Sequence, residues 1–175
     1  MKKFELHGNA ASLIFHEGTG EYRIATSSFL LAGCKPLLRL NGKEVSFGHW
    51  SVTEHTKNSM VVSAKGNAGN WTLEFRFAAG DALTLRLSGC LKKVCDDVEL
   101  LYFDGLKMKA DHLLSQGIKM GGCAAIPLDK GTKKDFYGAM QLLVTEKGEQ
   151  LRLSYPLRCE FMPFFSGRAV SGIRH

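Results

Sequence analysis

The chain has 175 residues, 45% apolar and 23% charged, with a net charge of +6. That composition can bury a sizeable core and excludes a disordered chain. The basic residues are scattered rather than interleaved with aromatics, and no apolar run reaches the roughly 18 residues a membrane helix needs, so neither nucleic acid nor a membrane is an expected partner.

Nineteen glycines and four prolines punctuate short apolar runs, as in an all-β chain. Phe4 to His7 and Ser12 to His16 read as strands, joined through the turn Glu17 to Gly20 to a third at Glu21 to Ala25. Phe29 to Leu31 is a short apolar run. Leu37 to Leu40 and Lys43 to Phe47 flank Asn41-Gly42, the residues a type I′ hairpin turn demands because both central φ angles are positive. Ser51 to His55 and Ser59 to Ser63 follow, and the cluster 65 to 70 is a turn.

The clearest unit spans Trp71 to Leu87. Trp71, Leu73, Phe75 and Phe77 alternate with Thr72, Glu74 and Arg76, and Leu83, Leu85 and Leu87 alternate with Thr84 and Arg86. Side chains on a strand point to opposite faces in turn, so each half has one apolar face and one polar, partly charged face. Gly80-Asp81 supplies the turn. Trp71, on the apolar face, is expected in the core.

Beyond Leu87 the pattern loosens. Gly89 to Asp97 is polar and irregular, and Val98 to Phe103 is a strongly apolar strand. Ala110 to Ser115 is the best place for a helical turn. Gln116 to Pro127 and Asp129 to Asp135 read as loops. Tyr137 to Thr145 and Gln150 to Tyr155 form a last hairpin, and Cys159 to Phe165 is an apolar finish. The expected fold is an all-β antiparallel β-sandwich, supersandwich-like, of ten to fifteen strands. It carries at most one or two short helical turns. Residues 1–166 form the domain and 167–175 a loose tail.

Motifs for chemistry are sparse. The six histidines form neither HxH nor HExxH, although His49 and His55 could meet on neighbouring strands. No GxSxG elbow and no phosphate-binding glycine motif is present, and Gly18-Thr19-Gly20 is better explained as a hairpin turn. The five cysteines include no CxxC pair and read as reduced, mostly buried thiols. Cys95 beside Asp96-Asp97 is a poor nucleophile, since neighbouring carboxylates disfavour its thiolate. Asp81, Asp104, Asp111 and Asp129 lie in turns, where a carboxylate hydrogen-bonds its own backbone; nothing pairs two of them for glycoside hydrolysis. Trp50 follows Gly48-His49 at a strand junction, where an exposed indole would offer a sugar a ring face.

Three stretches carry a resemblance. Trp71 to Leu87, Val98 to Phe103 and Ala110 to Met120, with the later hairpin and the apolar finish, resemble the N-terminal β-sandwich domain of family-36 glycoside hydrolases, the α-galactosidase and raffinose-synthase-like enzymes. At that family's Gly-x-Gln-Ser-Trp-like loop, Gly117 is present and Lys119-Met120 stand in place of Ser-Trp. The resemblance implies a non-catalytic domain that packs on a catalytic (β/α)8 barrel and helps shape a carbohydrate site or an oligomer interface. The family's catalytic aspartates lie on the barrel, and no βα repeat occurs here, so no catalytic residue is carried over. Neither a metal nor another cofactor is expected. The expected partners are carbohydrate, the barrel domain or further copies of the chain; the expected compartment is the cytoplasm, or the periplasm if a leader is removed.

Any site is expected in the less regular stretches 48–50 and 110–122, which gives His49, Trp50, Asp111, His112, Gln116 and Lys119 as carbohydrate-binding candidates. Two other functions fit the same strands. A mutarotase-type epimerase would need His49, His55 or His112 to converge with a carboxylate. A carbohydrate-binding module would need exposed aromatics, for which Trp50 is the candidate.

Overall fold

The computed structural model describes residues 1–26, 30–67, 69–78 and 82–92, and nine strands beyond them. Side chains are described for 1–26, 35–67, 69–78 and 82–92. The strands run β1 (Lys3–His7), β2 (Ala11–His16), β3 (Tyr22–Thr26), β4 (Leu30–Cys34), β5 (Leu37–Leu40), β6 (Lys43–Val45) and β7 (His49–His55). β8 (Ser59–Gly66), β9 (Gly69–Phe77), β10 (Leu83–Leu91) and β11 (Val98–Phe103) follow. The last are β12 (Leu106–Lys107), β13 (His112–Gln116), β14 (Cys123–Pro127), β15 (Lys133–Asp135), β16 (Met140–Val144), β17 (Gln150–Ser154), β18 (Met162–Ser166) and β19 (Val170–Arg174). No helix occurs among the described residues.

The strands form four antiparallel sheets. The first has the order β1-β2-β3-β4-β12 and the second β10-β9-β8-β7. The third is β15-β18-β19-β11-β5-β6 and the fourth β14-β13-β16-β17. The chain is an all-β antiparallel β-sandwich, as the alternating runs require.

β9 shows why. Trp71, Leu73, Phe75 and Phe77 are buried, while Asn70, Thr72 and Arg76 are exposed. β8 lies beside it in the same phase, with Met60, Val62 and Ala64 buried. These residues meet Leu6, Leu13, Phe15, Tyr22 and Ile24 of the first sheet in one apolar cluster. Across the interface Phe75 packs edge-on to Tyr22 at 5.1 Å and tilted against Phe15 at 5.9 Å between ring centroids. Leu38 of β5 and Phe47, just after β6, close the same cluster. The third sheet therefore shares a core with the first two through its β5–β6 edge. Burying side chains of this size stabilises by roughly 1.5–3 kcal/mol each, so the cluster contributes heavily to the stability of the fold.

The short-range signals hold. The turn between β5 and β6 has φ of +49° at Asn41 and +73° at Gly42. The β9–β10 hairpin closes with a bond from the Ala78 N–H to the Ala82 carbonyl at 2.9 Å, and the turn pair 80–81 lies outside the described residues. β10 runs on through Leu91, opposite Gly69, into the start of the stretch Gly89 to Asp97 that reads as polar and irregular.

The later half departs from expectation in four places. His112–Gln116 is a strand, not part of a helical turn, and residues 110 and 111 lie outside the described residues. It lies between β14 and β16, with Leu114 opposite Ala125 on one side and Leu142 on the other. Six residues of mixed propensity suit either state, and sheet pairing decides. Cys123–Pro127 and Lys133–Asp135 are strands inside stretches that read as loops. Val170–Arg174, within the supposed tail, lies between β11 and β18. With these and β12, nineteen strands occur among the described residues.

Candidate functional site

Among the described residues, two places gather polar groups into an arrangement: the corner where β7 meets the β2–β3 turn, and the wet face of the β9–β10 hairpin.

The corner is a structural joint. The turn 17–20 closes with the His16 N–H donating to the Glu21 carbonyl at 2.8 Å and the Gly20 N–H to the His16 carbonyl at 3.1 Å. It then pairs with β7. The Gly18 N–H donates to the Trp50 carbonyl at 2.8 Å, and the Trp50 N–H returns a bond to the Gly18 carbonyl at 3.2 Å. The Glu17 carboxylate accepts from the Val52 N–H at 3.1 Å, beside a register shift between Val52 and Glu54. One acidic side chain thus satisfies a backbone donor at an irregular strand edge.

Trp50 fills the joint. It is 2% exposed, and its indole lies against Gly20 so closely that a Cβ there would stand 2.2 Å from Cδ1. Phe47 packs on its other side at 5.3 Å and reaches Trp71 edge-on at 5.2 Å. Trp71 covers Gly89 of β10 in the same manner, with 2.1 Å between a would-be Cβ and Cε3. Both tryptophans are core. The expectation of a sugar platform at Trp50 is corrected, because a ring enclosed by Gly20 and Phe47 has no face left for a ligand.

The other candidates lie in separate parts of the chain or outside the described residues. His49 is exposed at the start of β7, whereas His112 and Gln116 bound β13 in a different sheet, and Asp111 and Lys119 lie outside the described residues. His49 and His55 occupy opposite ends of β7, about 20 Å apart at a strand's rise per residue, so they do not meet as a pair. His55 instead donates from Nε2 to the Glu5 carbonyl at 3.0 Å and packs edge-on against Phe4, tying the rim of the second sheet to β1. No group of three His, Cys, Asp or Glu side chains that could hold a metal occurs among the described residues. Cys90 is exposed, unlike the buried thiols expected. The four turn aspartates lie outside the described residues.

The wet face of the hairpin is different. Glu74, Arg76, Ala78, Thr84 and Arg86 line a shallow depression of about 300 Å³. Register puts Arg76 opposite Thr84 and Glu74 opposite Arg86. Arg76, Thr84 and Arg86 are exposed and Glu74 is half-buried. These residues were legible as the polar side of an alternating hairpin; that they surround a depression was not. No family model, curated protein or solved structure matches this chain.

Proposed function

We propose that the chain is a non-catalytic β-sandwich of the kind that precedes the barrel in α-galactosidase-like hydrolases. It would pack on a catalytic (β/α)8 barrel and help shape a carbohydrate site or an oligomer interface. The observation that carries the reading is the use of the large aromatics. Trp50, Trp71, Phe47 and Phe75 all serve the core that joins the sheets. Glu17 at the corner and His55 at the far end of β7 likewise bond backbone across the two sheets. A domain built in this way is a scaffold that presents surface to a partner. The resemblance of 71–87, 98–103 and 110–120 to the family-36 sandwich supplies the identity of that partner.

The reading is tested at the coding sequence after His175. Alternating βα units are expected there, and the barrel they encode, expressed separately, should co-purify with residues 1–175 and cleave an aryl α-galactoside. A reading frame that stops at His175 overturns the proposal.

A further inference from the structure

The wet face of the β9–β10 hairpin carries two guanidinium groups and one carboxylate, an excess of one positive charge among the described residues there. Among the described residues Arg76 and Arg86 form no ion pair or side-chain hydrogen bond, nor does Glu74, even though it stands directly opposite Arg86. Arg86 lies two residues beyond the partner of Arg76, a diagonal relation of about 7–8 Å across an antiparallel pair. Both side chains are long enough to converge on one group between them. The strand that carries Arg76 is anchored by its opposite face, which is buried throughout. Thr84 adds a hydroxyl, and the depression gives a ligand somewhere to sit.

The chemistry of the rim narrows the ligand. Two arginines offer fork-shaped donors suited to a planar carboxylate. Glu74 offers only acceptors, so it repels a dianion such as sulfate or phosphate more strongly than a single carboxylate, and it suits a hydroxyl donor. A neutral sugar would leave the excess positive charge of this face unmatched. A sugar acid has a carboxylate for the arginines and hydroxyls for Glu74 and Thr84. We infer that the β9–β10 face binds the carboxylated residue of an acidic oligosaccharide, an inference that rests on the carbohydrate reading above and names its ligand class.

The test is calorimetry on the full chain with three probes: a galacturonate trisaccharide, a neutral galactose trisaccharide and sodium sulfate. Binding of the galacturonate probe is expected, weakened about tenfold or more by Arg76→Gln or Arg86→Gln, the loss of one charge-assisted hydrogen bond. Glu74→Gln should weaken it less. All three positions lie on the wet face, and unchanged thermal unfolding of each variant separates loss of binding from loss of fold. Sulfate bound as tightly as the galacturonate probe overturns the inference and leaves an anion patch without sugar recognition. The neutral sugar bound equally well, and indifferent to the arginine changes, overturns it while the carbohydrate reading stands. Binding of none of the probes overturns both the inference and the sugar-site part of the reading, and the reading frame after His175 still tests the barrel partnership separately.

Discussion

Trp50 and Trp71 are seated alike and hold different things together. Each indole lies over a glycine whose missing side chain makes room for it, and Phe47 touches both rings. Trp71 and its Gly89 are cross-strand neighbours within the second sheet. Trp50 lies on β7 of that sheet, but its Gly20 belongs to the β2–β3 turn of the first. One seat reinforces a hairpin that backbone pairing already holds. The other joins two sheets. A large side chain packed between two sheets is therefore expected to be worth more than one packed within a single hairpin.

Three measurements would break or sharpen that contrast. The largest effect is expected from Trp50→Ala, which should cost roughly 5 kcal/mol in urea unfolding, against roughly 3 kcal/mol for Trp71→Ala. Equal losses would mean that the joint is no stronger than the hairpin seat. The next comparison is between the glycines. Gly20→Ala forces a methyl into the Trp50 ring at a φ of +73°, combining overpacking with backbone strain, and should cost roughly 3 kcal/mol. Gly89→Ala meets only the overpacking, so roughly 2 kcal/mol is expected from the same unfolding curves. A milder effect at Gly20 than at Gly89 would reverse the ranking. The smallest effect concerns the polar half of the joint. Glu17→Ala leaves the Val52 N–H without its acceptor and should cost roughly 1 kcal/mol, whereas Glu17→Gln keeps a carbonyl oxygen there and should recover most of it. Faster amide exchange at Val52 in the alanine variant alone would locate the loss.

The same contrast explains what the sequence revealed. Trp71 was readable because its period-two neighbours Leu73, Phe75 and Phe77 declare the face it shares. Trp50 stands at a strand start after Gly48-His49, where local pattern says little. What buries it is a turn in another sheet, and no periodicity within β7 announces that turn. His112 to Gln116 fails in the same way: its flanking partners β14 and β16 decide its state, and a six-residue window cannot show them. Asn41-Gly42 succeeded because a type I′ turn is specified by its own two residues. The Arg76 and Arg86 pair fell between these cases. Its facing was plain in the alternation, but its position around a depression depended on register, which the sequence leaves open.

The strict alternation of β9 has a consequence for how this molecule can change. Every second position is held by the tryptophan, leucine and phenylalanines beneath it, and a replacement there is paid for by the whole core. The positions between them touch solvent and one another, so Thr72, Glu74 and Arg76 can be exchanged with little cost to the rest of the chain. One short strand therefore combines a conservative lineage with an experimental one. Descendants of this sequence could inherit the same sandwich and diverge in what its outer surface recognises.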